Sequence, residues 1–98
     1  MYSMIALNQI KPGKVEAVKK ALEKDFVPIL KKTPGFRAAY MVAGPKGEYT
    51  GFILFESRAG ADNYANSPDR KKALTGAADL FEGAMKLQFS EVLVSASA

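Results

Sequence analysis

The chain has 98 residues, 14 basic against 10 acidic for a formal net charge of +4, and no Cys, His or Trp. That length makes one domain, residues 1–98, and a monomer of this size buries only about 60–65% of the surface its unfolded chain exposes, so self-association would add stability. Without Cys and His there is no disulfide, no thiolate or imidazole metal ligand, no thiol nucleophile and no imidazole base, which argues against zinc and haem enzymes and leaves no cofactor expected.

Residues 2–10 (YSMIALNQI) are apolar or small and end at Lys11-Pro12-Gly13, which reads as a strand and a turn. From Val15 onward, Val18, Leu22, Phe26, Ile29 and Leu30 recur at three- and four-residue steps among Lys and Glu, the pattern of an amphipathic helix. Pro28 lies inside that pattern, lacks a backbone donor and clashes with the preceding turn, so the helix should kink or restart near Val27. Thr33-Pro34-Gly35 stops it.

Residues 36–43 (FRAAYMVA) and 49–56 (YTGFILFE) read as strands joined by the hairpin loop Gly44–Glu48. Ser57 then caps a short helix reaching about Asn66, and Ser67-Pro68-Asp69 supplies a cap, a Pro and an acid for the next. That helix places Ala73, Leu74, Ala77 and Phe81 on one side and is expected to end at Gly83. Residues 84–94 alternate, with Met85, Leu87 and Phe89 opposite Lys86, Gln88 and Ser90, as a last strand.

The order βαββαβ predicts an α+β, ferredoxin-like domain with helices on one face of a four-stranded antiparallel sheet. A sheet wetted on its second face should alternate apolar with strongly polar residues. Yet Phe52/Leu54 and Ile53/Phe55 are apolar on both faces of one strand, as are Met4/Ala6 and Ile5/Leu7 on another. Burial of both faces by a second copy, sheet against sheet, accounts for this and predicts a homodimer. No apolar run approaches the roughly 20 residues of a membrane span and the N-terminus has no signal-peptide pattern, so a soluble, cytoplasmic protein with no membrane partner is expected.

Pro12-Gly13-Lys14 after the first strand, Pro34-Gly35-Phe36 opening the second, and Phe55-Glu56-Ser57 with Tyr64-Ala65-Asn66-Ser67-Pro68 across the second helix are similar to the antibiotic biosynthesis monooxygenase family of dimeric α/β barrels. The resemblance covers nearly the whole chain. It implies a pocket beside the sheet in each subunit, a small aromatic or hydrophobic ligand, and cofactor-independent oxygenation of electron-rich phenols or quinols. Many relatives carry a Trp where this chain has Phe55 and a His where it has Tyr64. In the haem-degrading members that His ligates iron, so its replacement by Tyr64 speaks against haem degradation. Some relatives use an Asn on the first strand, and Asn8 is its counterpart here, offset by two residues but on the same face.

Asn8 and Tyr64 are therefore the candidate catalytic residues. Asn8 would hold a substrate hydroxyl or a developing oxyanion, or else bond a backbone group at the strand's edge. Tyr64 would donate a hydrogen bond to substrate, or else be a packed helix Tyr. Tyr40, Phe55 and Arg37 are candidate substrate-binding residues, although Arg37 suits an interface ion pair equally and Phe55 suits the core. Two further functions share this fold: a non-catalytic barrel that holds a hydrophobic metabolite, and an RNA-recognition domain. The second lacks its stacking aromatics, since Thr50 and Ile5 stand at the positions that need them, so no nucleic-acid partner is expected.

Overall fold

The computed structural model describes all 98 residues. Strand β1 (Tyr2–Ile10) is followed by helix α1 (Val15–Ala21), a π-helical turn (Leu22–Phe26) and helix α2 (Val27–Lys32). Strands β2 (Phe36–Ala43) and β3 (Glu48–Phe55), helices α3 (Arg58–Ala65) and α4 (Pro68–Ala77), a 3₁₀ turn (Ala78–Leu80) and strand β4 (Phe81–Glu91) complete the fold. The four strands form one antiparallel sheet in the order β2-β3-β1-β4, the ferredoxin-like arrangement, with β1 and β3 central. No helix is long and apolar enough to cross a membrane.

The break at Pro28 takes a specific form. The Val27 N–H bonds back five residues to the Leu22 carbonyl, which widens the helix by one residue ahead of the proline. Pro28 then sits in the first turn of α2, directly after this wide turn. The wide turn aims Leu22 and Phe26 toward the sheet.

Residues 2, 4, 6 and 10 of β1 face the helices. Met4, Leu30, Ile53, Phe55, Ala61 and Tyr64 form one buried cluster, and Ala6, Ile10, Val18 and Tyr49 a second. The opposite face carries no helix: Ile5, Phe52 and Leu54 are half-buried there and Leu7, Tyr40 and Val42 exposed. The two-sided apolar pattern of β1 and β3 is thus real, and one of its two layers lies open within a single chain.

The end of the last helix departs from the sequence reading. Gly83 does not end it; α4 stops at Ala77, and Phe81 belongs to β4, opposite Ile10. Its aromatic ring meets Tyr49 edge-on at 5.5 Å, a contact that outweighs the helical periodicity which grouped Phe81 with Ala77. Gly83 lies within β4 at φ +80°, in the left-handed region open to glycine, where the β1–β4 register slips between Leu7 and Gln9. The strand ends at Glu91 rather than residue 94, leaving Leu93 and Val94 exposed.

Candidate functional site

A cavity of about 30 Å³ lies between the helices and the sheet. Leu22 and Phe26 of the π-turn, Ile53 of β3, Leu74 of α4 and Met85 of β4 are among its walls. Arg70 is the only lining residue that is not hydrophobic. Among the lining side chains, only those of Tyr49, Tyr64 and Arg70 carry nitrogen or oxygen.

Tyr64 arrives from the last turn of α3, buried, with its ring 5.9 Å from that of Phe55. Burial pushes its phenol above the ordinary value, opposed by the positive charge of Arg70 and by a hydrogen bond from it, so it stays protonated at neutral pH. Tyr49, on β3, is pushed up to about 12 by burial and then by its proximity to Tyr64, with Arg70 pulling the other way. Gly51 makes room for it: a Cβ there would stand 2.9 Å from the Tyr49 hydroxyl.

Arg70 comes from the first turn of α4, whose N-cap Ser67 accepts a hydrogen bond from the Arg70 backbone N–H at 3.3 Å. Its guanidinium carbon lies 5.4 Å from the centre of the Tyr64 ring, and Nη1 donates to the Ala65 carbonyl at 3.4 Å. The side chain is buried, at 5% exposure, and no carboxylate lies within ion-pairing distance; the two ion pairs of the protein are Arg37–Glu56 and Arg58–Asp62. The sequence reading passed over Arg70 because Arg70-Lys71-Lys72 looks like a solvated basic run. Helical spacing held the signal: Arg70 stands four and seven residues before Leu74 and Ala77, on the apolar face of α4.

The five residues singled out from the sequence do not assemble into one site. Tyr64 lines the cavity and Asn8 does not. Asn8 sits at the β1–β4 irregularity, where its Oδ1 accepts from the Gln9 N–H at 2.7 Å and its Nδ2 donates to the Gly83 carbonyl at 3.4 Å. This is the backbone-bonding alternative for Asn8, and it engages one donor and one acceptor of the amide. Asn8 does border a neighbouring groove of about 180 Å³, and Leu74, Ala77, Phe81 and Met85 form walls of both spaces.

The substrate-binding candidates also lie elsewhere. Phe55 is fully buried against Phe36 and Tyr64 and is core rather than a ligand platform. Tyr40 is 65% exposed on the open sheet face. Arg37 is exposed at the start of β2, 3.8 Å from Glu56, where solvent screening leaves such a pair worth about 0–1 kcal/mol. Strand alternation places Arg37 and Tyr40 on opposite faces of β2, so at most one of them could share a pocket. The largely apolar faces of β2 and β3 do not show which face the helices cover.

A sequence model of the antibiotic biosynthesis monooxygenase family matches residues 1–76. No curated protein matches at a significant level. Among solved structures, the fold is similar to Rv0793 from Mycobacterium tuberculosis (TM-score 0.78, 21% identity, 98% of each chain covered). It is also similar to NE2512 from Nitrosomonas europaea, described as a protein of unknown function (TM-score 0.82, 18% identity, 99% of this chain and 93% of that one). A variant of MhuD, solved with two manganese protoporphyrin IX molecules bound per active site, superposes over the whole of both chains (TM-score 0.81, 19% identity). At these identities the likeness is one of fold.

Proposed function

Because the chain belongs to the antibiotic biosynthesis monooxygenase family, we propose that it oxygenates a small aromatic or quinol-type substrate in the cavity between helices and sheet, without a cofactor. The observation that carries this reading is an apolar cavity whose polar groups are two protonated phenols and one guanidinium. Such a site holds a flat, electron-rich ring and offers hydrogen bonds to its oxygen.

The chemistry then rests on the substrate. Its ionised form passes one electron to dioxygen, and the resulting radical and superoxide combine to a peroxide. For an anthrone, the proton released on ionisation returns to the peroxide and loss of water leaves a carbonyl, so one oxygen atom enters the ring, the other leaves as water, and the ring methylene loses two hydrogens. Tyr64 donates to the substrate oxygen, and the low dielectric of the cavity strengthens that bond. About 30 Å³ holds a water or two rather than a ring. The substrate must therefore push aside part of the wall shared with the Asn8 groove, and Met85 is its most pliable member.

The MhuD likeness raises a porphyrin as an alternative occupant. The donor set here does not suit one. The chain has no His or Cys, and the two phenols of the cavity are held away from the phenolate form that would ligate iron.

A second copy completes the fold in this proposal, covering Ile5, Leu7, Tyr40, Val42, Phe52 and Leu54 on the open sheet face. Sedimentation of the wild type as a dimer and of Phe52→Glu as a folded monomer would support it; a wild-type monomer at micromolar concentration would contradict it.

The direct test of the activity is oxygen uptake by chelator-treated protein supplied with 1,8-dihydroxyanthrone and a panel of quinols. Turnover above the uncatalysed rate, reduced about 10–100-fold in Tyr64→Phe, is expected. A panel that gives no uptake leaves the non-catalytic metabolite-binding reading, in which native mass spectrometry finds a small molecule retained by the purified protein.

A further inference from the structure

We propose that Arg70 makes this cavity a receptor for an aromatic ligand that carries an ionised oxygen on its ring system, so that the substrate binds as an oxyanion rather than as the neutral phenol or ketone. The inference rests on the cavity being the ligand site and adds the charge that the ligand must bear.

A buried cation is retained only when something compensates its lost hydration, and the desolvation penalty amounts to several kcal/mol per ion. Arg70 has only partial compensation from the protein. The Tyr64 ring offers a cation–π contact at 5.4 Å and its hydroxyl oxygen a hydrogen bond, and the Ala65 carbonyl, at the C-terminal end of α3, offers one long hydrogen bond and the partial negative charge of a helix terminus. None of these neutralises the guanidinium. Asp69, its neighbour in sequence, is not within ion-pairing distance.

A guanidinium has five N–H donors in a planar fork. One nitrogen bonds Ala65. The fork also bonds the Tyr64 hydroxyl, and no buried side-chain nitrogen or oxygen lacks a partner, so the Arg70 nitrogens without a hydrogen bond keep some accessible surface. They sit at the wall of an otherwise apolar space, and their charge acts on both phenols there. A carboxylate, phenolate or enolate attached to a flat ring fits this arrangement: the ring takes the apolar walls, the oxygen takes the fork, and Tyr64 adds a neutral donor. For an oxygenation driven by the substrate's own electrons, a cation at that oxygen also favours the ionised, electron-rich form.

The test compares 2-naphthoate, 2-naphthol and the neutral 2-naphthamide by calorimetry at pH 7.5, in 0.5 M NaCl to suppress attraction to surface lysines. Wild-type protein should bind 2-naphthoate at least tenfold more tightly than 2-naphthamide. Affinity for 2-naphthol should rise with pH toward its own ionisation, and a flat profile overturns the claim that a phenol binds as its oxyanion. Arg70→Met should remove the preference while raising or preserving Tm, since an apolar side chain replaces an unpaired buried charge, and Arg70→Lys should keep part of it. Equal wild-type affinity for naphthoate and naphthamide, no binding of either at millimolar concentration, or an unchanged preference in Arg70→Met overturns the inference. A naphthoate preference with no oxygen uptake from any quinol defeats the oxygenase reading and leaves this one standing.

Discussion

Replacing Phe55 by Ala tests whether this side chain belongs to the core or to the ligand. Its exposure is 0%, and it sits in the cluster of Met4, Leu30, Ile53, Ala61 and Tyr64. Its ring meets Phe36 edge-on at 6.3 Å and Tyr64 at 5.9 Å. A buried Phe→Ala change costs about 3–5 kcal/mol through lost transfer energy and the cavity left behind. A domain of this length has about 5–15 kcal/mol in total. With a urea slope of about 1.5 kcal/mol per molar, the unfolding midpoint should fall by about 2–3 M. Urea titrations followed by circular dichroism, with both proteins at one concentration because self-association adds to stability, provide the measurement. The folded variant should bind 2-naphthoate within about threefold of wild type, since Phe55 does not line the cavity. A midpoint shift below 0.5 M together with a tenfold loss of affinity would refute the core assignment.

Three further substitutions probe the packing. Gly60→Ala places a Cβ 3.1 Å from the Pro34 carbonyl oxygen and 3.2 Å from Phe55 Cδ1, neither of which can yield cheaply. A loss of about 1 kcal/mol is expected despite the better helix propensity of Ala, read as a Tm drop of about 4–8 °C. Asn8→Ala removes both hydrogen bonds of the β1–β4 irregularity and should lower stability by about 1 kcal/mol while leaving turnover within a few-fold; a hundredfold loss would return Asn8 to the reaction. Tyr49 releases its proton at about 12 in the folded protein and near 10 when unfolded, so its contribution is intact below pH 10 and is lost as the pH rises toward 12. Over that window the wild type should lose about 2–3 kcal/mol more than Tyr49→Phe in denaturant titrations, and parallel profiles would contradict the assignment.

Much of the scaffold was legible before any coordinates. Lys11-Pro12-Gly13 and Thr33-Pro34-Gly35 closed the first strand and the first helical segment where the structure closes them, and Pro28 located the helix break to within a residue. The form of that break, a π-turn, depends on what Leu22 and Phe26 pack against. Phe81 was read as helical because period alone cannot weigh an edge-on contact with a Tyr more than 30 residues away. Recognition of the site was weaker. Tyr64 lines the cavity, whereas the backbone bonds that engage Asn8 belong to a bulge between two strands distant in sequence, which strand alternation alone does not show. Arg70 was hidden for the opposite reason: its neighbours Lys71 and Lys72 are exposed, and only the geometry of α4 turns one member of that basic run inward.

The oxygenation proposed for this cavity places one atom of dioxygen in an electron-rich ring without a metal or organic cofactor. Turnover of 1,8-dihydroxyanthrone under oxygen-18 gas by chelator-treated protein, followed by mass spectrometry of the quinone, tests it most directly. One oxygen-18 atom should appear in each new carbonyl, with formation slowed in Tyr64→Phe. Product formed no faster than without protein, or a carbonyl oxygen that comes from water under conditions where the quinone does not exchange, would contradict it.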